Sequence, residues 1–486
     1  MKIKNFFSKI KFRPLPSYQL AYLIIILVFF HMLGFQYDND FWFTINQGRY
    51  VLEHSFPTTA IYSIHSLDFL FQSWGSGVVF YTTYNYLGLY GIVSLMIIVS
   101  GLTMYFFYKL CFVASNNKRG SLLITLIAYL LYNIYFVVSR PHIFTVLNLV
   151  IMLYLLESYV KTNKTKYLYW LPLITFLEVN LHGIYYIVLL VIASPYLINA
   201  FKFKIFGIES KGYRKKPIII AFIAMIITGF INPYGYKTII YGFTSYGNNS
   251  LFNNTVIELL ALDFHNIIQR IYIVVIILTY VLYFTKHKEK PLRYTLLLLG
   301  TSYLAFDALK SYYFFVFASL FPLAILFNKK EKVDNTYSKT YHIVHASFTI
   351  IACISTFFLL NKPKDPPVKE IIDYLDTVVT NKEEIKLFTD YASGSYAEYM
   401  GYYCYLDPRG EIFLKSVNKK EDIYKEYDDV ENNRINYKDF IDKYMFDYMI
   451  VDNKESIGYL MKHDSYIYKK VMENKRYTLY ELEKKG

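Results

Sequence analysis

The sequence predicts a mostly α-helical, polytopic membrane protein with a small external α/β domain at its C-terminal end. Three observations carry that prediction. The chain has 486 residues, of which 55% are apolar and 20% aromatic while only 18% are charged. Its apolar residues are gathered into nearly charge-free blocks long enough, as helix, to cross a hydrocarbon core of roughly 30 Å. From about residue 361 these blocks stop, and a stretch of mixed composition runs to the end. A cytosolic enzyme, a disulfide-stapled secreted scaffold and a disordered chain are excluded on composition.

Taken in order, the blocks fall at 18–36, 89–112, 121–138, 143–159, 167–181, 184–200, 217–232, 268–285, 292–308, 312–328 and 343–361, about eleven transmembrane helices. The first has no small-residue cleavage site after it and reads as a retained span rather than a signal peptide. The net charge of +13 does not mark a nucleic-acid surface, because Lys and Arg sit in short loops between the blocks. When the loops are assigned alternately to the two sides, 24 of these residues fall on one side and four on the other. That bias places the N-terminus in the cytoplasm and, with an odd span count, the C-terminal domain outside the cell membrane. Three cysteines, Cys111, Cys353 and Cys404, are too scattered to imply a disulfide framework or a metal site.

The connections are informative. The external loop 37–87 carries Phe41, Ile45, Gly48 and Leu52, then Phe71, Trp74, Val78 and Tyr81, at helical spacing, which predicts two amphipathic helices along the interface. Block 167–181 is only about 22 Å long at 1.5 Å per residue, so its turn into the next block should lie below the outer surface, facing a cavity. Loop 236–267 is rich in Asn and Gly. The transmembrane region is thus 1–361. Lys362 to Pro367 reads as a linker into the 362–486 domain, where helical patterns at 368–379 and 437–444 alternate with strand-like runs at 385–389, 402–406, 448–451 and 477–482. No internal repeat, phosphate-binding glycine loop, HExxH or CxxC occurs.

Ionisable residues at membrane depth are costly and usually functional. Here the few polar residues near the blocks, Asp38, Asp40, Arg140, His142, His182, Asn232, Glu258 and Lys310, all map to the external side. Asp38 and Asp40 directly follow the first block, where a carboxylate can take a proton from a hydroxyl at the membrane surface. Asp40 equally suits the cap of the interfacial helix, and the two roles are compatible. Arg140 suits a phosphate through its planar fork, or a helix-end anchor. Asn180 and His182, at the tip of the short hairpin, suit hydrogen bonds to sugar or phosphate oxygens, or a plain turn. Asn232-Pro233-Tyr234-Gly235 reads as turn chemistry. Two carboxylates opposed to several cations suit a transfer reaction on an anionic, lipid-linked substrate.

Asp38-Asn39-Asp40-Phe41-Trp42 with Gly48 and Pro57, then Gln72-Ser73-Trp74, Arg140-Pro141-His142-Ile143-Phe144, Asn180-Leu181-His182-Gly183 and Asn232-Pro233-Tyr234-Gly235, resemble in this order the bacterial membrane glycosyltransferases of the C-fold (GT-C) superfamily. More loosely, Tyr391-Ala392-Ser393-Gly394-Ser395-Tyr396 and Leu406-Asp407-Pro408-Arg409 echo that family's external domain. The resemblance implies a polyprenyl-phosphate-linked sugar as donor, a first-loop acid (Asp40 or Asp38) as base, and inversion at the anomeric carbon. It implies an external glycan, lipid or protein as acceptor. Arg140, His142, Asn180, His182, Glu258 and Lys310 would bind substrate. The chain departs from the family at Phe43-Thr44, where Trp-His is common, and at Lys310, where Arg often stands. Two aspartates can hold Mg²⁺, but monosaccharide-transferring members of this superfamily resemble metal-independent enzymes, so neither metal nor cofactor is expected.

Two other readings compete. A polysaccharide polymerase or ligase would lean on external arginines, which are few here. A lipid-linked sugar flippase or transporter should show mid-span charges, broken helices and paired repeats, whereas Glu178 and Asp307 stand out as the acidic residues near span interiors.

Overall fold

The structure, a computed structural model, describes residues 17–205, 208–210, 212–244, 256–288, 290–327 and 339–483. Among the described residues, thirteen helices form its first part: α1 Ser17–His31, α2 Asn39–Glu53, α3 Trp74–Ser115, α4 Lys118–Asn133, α5 His142–Thr162, α6 Leu171–Leu181, α7 Tyr186–Asn199, α8 Lys215–Thr228, α9 Tyr236–Thr244, α10 Ile267–Lys286, α11 Leu292–Asp307, α12 Tyr312–Ser319 and α13 Lys339–Leu359. Among the described residues, five helices are long and apolar enough to cross a membrane, or six if Leu309–Ser319 and Phe321–Phe327, bent by 48°, count as one span. Most of the other expected spans are helices of 11 to 16 residues, at most about 24 Å long at 1.5 Å per residue. Length therefore does not establish a count of eleven. The Asn- and Gly-rich stretch 245–255 lies outside the described residues.

The two helices expected in loop 37–87 have different fates. The first is α2, whose Phe41 and Ile45 are fully buried. The second runs straight into the following span as α3, bent at Gly88, where φ is 56° and ψ −143°. Glycine adopts that conformation without the Cβ strain other residues meet. The crossing of α2 over α3 is equally specific. A Cβ placed on Gly48 would lie 2.1 Å from the Gly77 carbonyl oxygen, so the two backbones touch with no room for a side chain. This close approach sets the position of α2, and hence of the aspartates at its start.

Tyrosines bind the helices together. Tyr129 donates to Leu27 O at 2.8 Å, Tyr186 to Met225 O at 2.9 Å and Tyr272 to Leu131 O at 3.0 Å. Each ring fills apolar space while its hydroxyl reaches a neighbouring helix. Glu157 in α5 is a third acid inside an apolar block, beside Glu178 and Asp307. It is fully buried and held by both arms of Arg293, at 2.7 and 3.0 Å, and by the hydroxyls of Tyr196 and Tyr294.

The remainder folds around a five-stranded sheet of order β4-β3-β5-β7-β6. Its strands are β3 Lys386–Phe388, β4 Tyr403–Cys404, β5 Tyr448–Asp452, β6 Tyr468–Glu473 and β7 Tyr477–Leu482; β1 Phe203–Ile205 and β2 Ile208–Ser210 form a separate hairpin. Strand β3 pairs in parallel with β4 and β5, and β7 runs antiparallel to β5 and β6. Four strands match the expected runs. The fifth, β6, is a charged outer strand whose side chains are mostly unburied. The helix expected at 368–379 spans Lys369–Val378, and the one at 437–444 spans Tyr437–Tyr444. This sheet does not bury its faces alone. Leu67, Phe69 and Phe71 of the first loop enter its core beside Phe388, Tyr405 and Phe413, and Ile64 N donates to Cys404 O while Cys404 N donates to Tyr62 O, at 3.0 and 2.9 Å. The loop therefore clasps the edge of the sheet and carries it over α2. Cys111, Cys353 and Cys404 are buried and unpaired.

Candidate active site

The site begins with the local demands of a helix start. The first backbone N–H groups of a helix need acceptors, and at α2 the extended residue Asp38 provides one, accepting from Phe41 N at 2.9 Å. The capping residue is thus Asp38, not Asp40 as the sequence suggested. Asp40 lies in the first turn, where the helix dipole favours a negative charge.

Arg140, in the turn before α5, bridges both aspartates. Its Nε lies 2.5 Å from Asp38 Oδ2, and its Nη1 lies 2.9 Å from Asp40 Oδ2 and 3.0 Å from Glu258 Oε2. The other oxygen of Asp40 has no protein partner among the described residues. Glu258 sits in the 3₁₀ turn Ile257–Leu259, and the adjacent Leu260 carbonyl accepts from Leu309 N at 2.9 Å, which holds this turn against the one bearing Lys310.

These turns enclose a cavity of about 190 Å³ lined by Asp40, His182, Glu258 and Lys310 from the helical part, and by Tyr391, Arg409 and Glu411 from the sheet-bearing part. Removal from bulk water raises the Asp40 carboxyl to about 7; Arg140 opposes that rise, while Asp38, Glu258 and Glu411 add to it. Burial likewise raises Glu411 to about 7, with Lys310 and Tyr241 opposing. A carboxyl held near neutrality can take and return a proton.

His182 belongs to the cavity lining, and its Nδ1 lies 2.8 Å from Thr145 Oγ1. His142 is turned away, with Nε2 2.6 Å from Phe136 O and its ring against Tyr313. Asn180 is likewise spent on the protein: it accepts from Trp74 Nε1 at 3.1 Å and donates to Phe176 O and Ile231 O at 2.8 and 3.0 Å. Of the residues expected to bind substrate, His182, Glu258 and Lys310 line the cavity, whereas Arg140, His142 and Asn180 do not; Arg140 adjoins it through the neighbouring Pro141 and through its ion pairs with Asp40 and Glu258. The surroundings of His142 and Asn180 are those of turn-holding groups.

The sequence placed Tyr391 and Arg409 in loosely matching motifs without giving either a role, and did not single out Glu411. Arg409 is 2% exposed, donates to Asp407 and Glu398, each at 2.6 Å, and lies over the rings of Phe43 and Phe69. The cluster of opposite charges at 407–411 was the available signal. Among the described residues no group of three or more His, Cys, Asp or Glu side chains is arranged to hold a metal ion. Asp38, Asp40 and Glu258 instead converge on the Arg140 guanidinium.

No protein-family model and no curated protein matches the chain. Among solved structures it is similar to the oligosaccharyltransferase of Archaeoglobus fulgidus, crystallised tethered through a disulfide to an acceptor peptide containing the NVT sequon. The two superpose with a TM-score of 0.52 at 11% identity, over 90% of this chain and 69% of the other. The likeness is one of fold.

Proposed function

We propose that this chain is a membrane glycosyltransferase that moves a sugar from a polyprenyl-phosphate donor to an external acceptor, with inversion. The observation that carries this reading is the ion pair of Arg140 with Asp40, which itself lines a cavity together with Lys310 and His182. In this reading Asp40 takes the proton of the acceptor hydroxyl or amide, and the freed lone pair attacks the anomeric carbon. The sugar–phosphate bond breaks on the opposite face. Arg140 and Lys310 hold the departing phosphate, so the protein supplies mainly positioning and electrostatic stabilisation. The likeness to an oligosaccharyltransferase crystallised with an acceptor peptide supports an external acceptor. The charge bias of the loops supports an N-terminus in the cytoplasm and the sheet-bearing part outside.

The test is transfer by the purified chain in nanodiscs, supplied with a radiolabelled polyprenyl-phosphate sugar and with lipid, glycan or peptide acceptors. Labelled product from the wild type and none from Asp40→Asn sustains the reading. Passage of labelled donor across a liposome membrane without any transfer replaces it with lipid-linked sugar transport.

A further inference from the structure

Behind His182 lies a buried chain of polar groups that the reaction as described does not use. Glu178 is fully buried in α6, and both of its oxygens are engaged: Thr145 Oγ1 donates to Oε1 at 2.7 Å and Asn148 Nδ2 donates to Oε2 at 2.8 Å. Thr145 is also fully buried, and Asn148 is 4% exposed. Thr145 Oγ1 is then 2.8 Å from His182 Nδ1. Two turns of α5 thus hold one carboxylate of α6, and one of their side chains continues to the ring at the hairpin tip.

With Glu178 ionised, proton counting along this chain sets the tautomer of the ring. A hydroxyl carries one proton, and a carboxylate can only accept. With that proton directed to Glu178, the threonine oxygen offers its lone pair to His182, and Nδ1 must be the nitrogen that bears hydrogen. The neutral ring then has no proton on Nε2, which has no protein partner among the described residues. Partners of this kind, remote from the reacting atoms, commonly set which nitrogen of a histidine is available.

We propose that Glu178, Thr145 and Asn148 are positioning residues that lock His182 with hydrogen on Nδ1, so that Nε2 faces the cavity as a hydrogen-bond acceptor and recognises a substrate hydroxyl rather than a phosphate oxygen. The inference rests on the glycosyltransferase reading for the identity of that hydroxyl, on the sugar or the acceptor. It assigns the two halves of the donor to different walls. An anionic oxygen is repelled by the Nε2 lone pair and goes to Arg140 and Lys310, while a hydroxyl donates to His182. Thr145→Val keeps the shape but removes the link, and Thr145→Ser restores it.

The first measurement needs no substrate. The full-length protein labelled with ¹⁵N-histidine in nanodiscs, with the His182 signals assigned by their loss in His182→Asn, should show a protonated Nδ1 and a bare Nε2. Thr145→Val should mix or reverse the two forms, and Thr145→Ser should keep the wild-type one. A protonated Nε2 in the wild type, or an unaltered ring in Thr145→Val, overturns the proposal. The second measurement compares binding of sugar-free polyprenyl phosphate with that of the sugar-bearing donor. Loss of one such hydrogen bond should weaken the sugar-bearing ligand roughly 3- to 10-fold in Thr145→Val, with sugar-free ligand unaffected and Thr145→Ser near wild type. Equal weakening of both ligands overturns the assignment of His182 to a hydroxyl. Because the ring protonation is read without turnover, failure to detect sugar transfer would count against the proposed function and leave the Glu178–Thr145–His182 result standing.

Discussion

Arg140 Nη1 lies 2.9 Å from Asp40 Oδ2, although the two residues are a hundred positions apart and belong to different helix starts. The same guanidinium holds Asp38 through Nε. One cation therefore fixes the orientation of both aspartates, and its replacement separates charge from geometry. Arg140→Ala should weaken binding of polyprenyl phosphate by about 1.5–3 kcal/mol for each charge-assisted hydrogen bond to the phosphate that the alanine cannot make, measured by titration in nanodiscs. Arg140→Lys should recover only part of it, because an ammonium cannot hold two groups in one plane.

Asp38 and Asp40 should part company on substitution. Asp40→Asn should fold and bind donor normally but lose most turnover, since an amide cannot take the proton. Asp38→Asn keeps a capping oxygen and should keep its melting temperature, whereas Asp38→Ala should cost about 1 kcal/mol from the lost cap. Thermal unfolding together with single-turnover assays reads both.

The pH dependence follows from the raised Asp40 carboxyl. A base works in its ionised form, so turnover should fall as pH drops through about 7 and hold above it. Stability runs the other way for this group. A folded-state value above the unfolded one makes its contribution complete below the ordinary aspartate range near 4 and lost as pH rises through about 7. Glu411→Gln should keep the acid limb but move it to lower pH, since the Glu411 charge adds to the rise of Asp40, whereas Asp40→Asn should abolish turnover across the profile.

Gly48→Ala tests the crossing that seats α2. The added methyl meets the Gly77 carbonyl at 2.1 Å, and backbone on either side must move. A lower melting temperature together with reduced turnover is expected. Unchanged values for both would show that α2 can shift without disturbing Asp40.

Arg409→Ala should be among the most damaging substitutions outside the apolar helices. It leaves Glu398 and Asp407, 0% and 1% exposed, without their shared cation, and stranding buried charge in this way costs about 3–5 kcal/mol. Arg409→Met combined with Glu398→Gln and Asp407→Asn should regain much of that loss, as judged by thermal unfolding.

Legibility followed contrast. Asp38, Asp40, Arg140, Glu258 and Lys310 could be read because each is an ionisable group in an apolar chain, and the structure gathers them around one guanidinium and one cavity. Arg409 and Glu411 lie in a segment of mixed composition, where the cluster of opposite charges at 407–411 stands out less than a charge within an apolar block. Thr145 was hidden for a different reason: a threonine in an apolar helix usually bonds its own backbone, and only the fold shows it between Glu178 and His182. The outer strand β6 was missed because its charged, mostly unburied residues lack the apolar alternation that marks a strand. Which aspartate caps α2 depended on a helix boundary displaced by two residues, below what periodicity resolves.

The clasp between the first loop and the sheet edge joins Ile64 to Cys404, two residues separated by most of the chain. During synthesis the loop emerges long before its partner strand. Leu67, Phe69 and Phe71 must therefore wait, without the core that later covers them, until residues 388–480 have been made. Arg409, Glu411 and Tyr391 join the cavity in the same late event. Maturation of this protein thus has a built-in order. A chain interrupted before residue 404 carries Asp40 and Arg140 but an open wall beside them, so the site is completed only after the segment that packs on the first loop has been made.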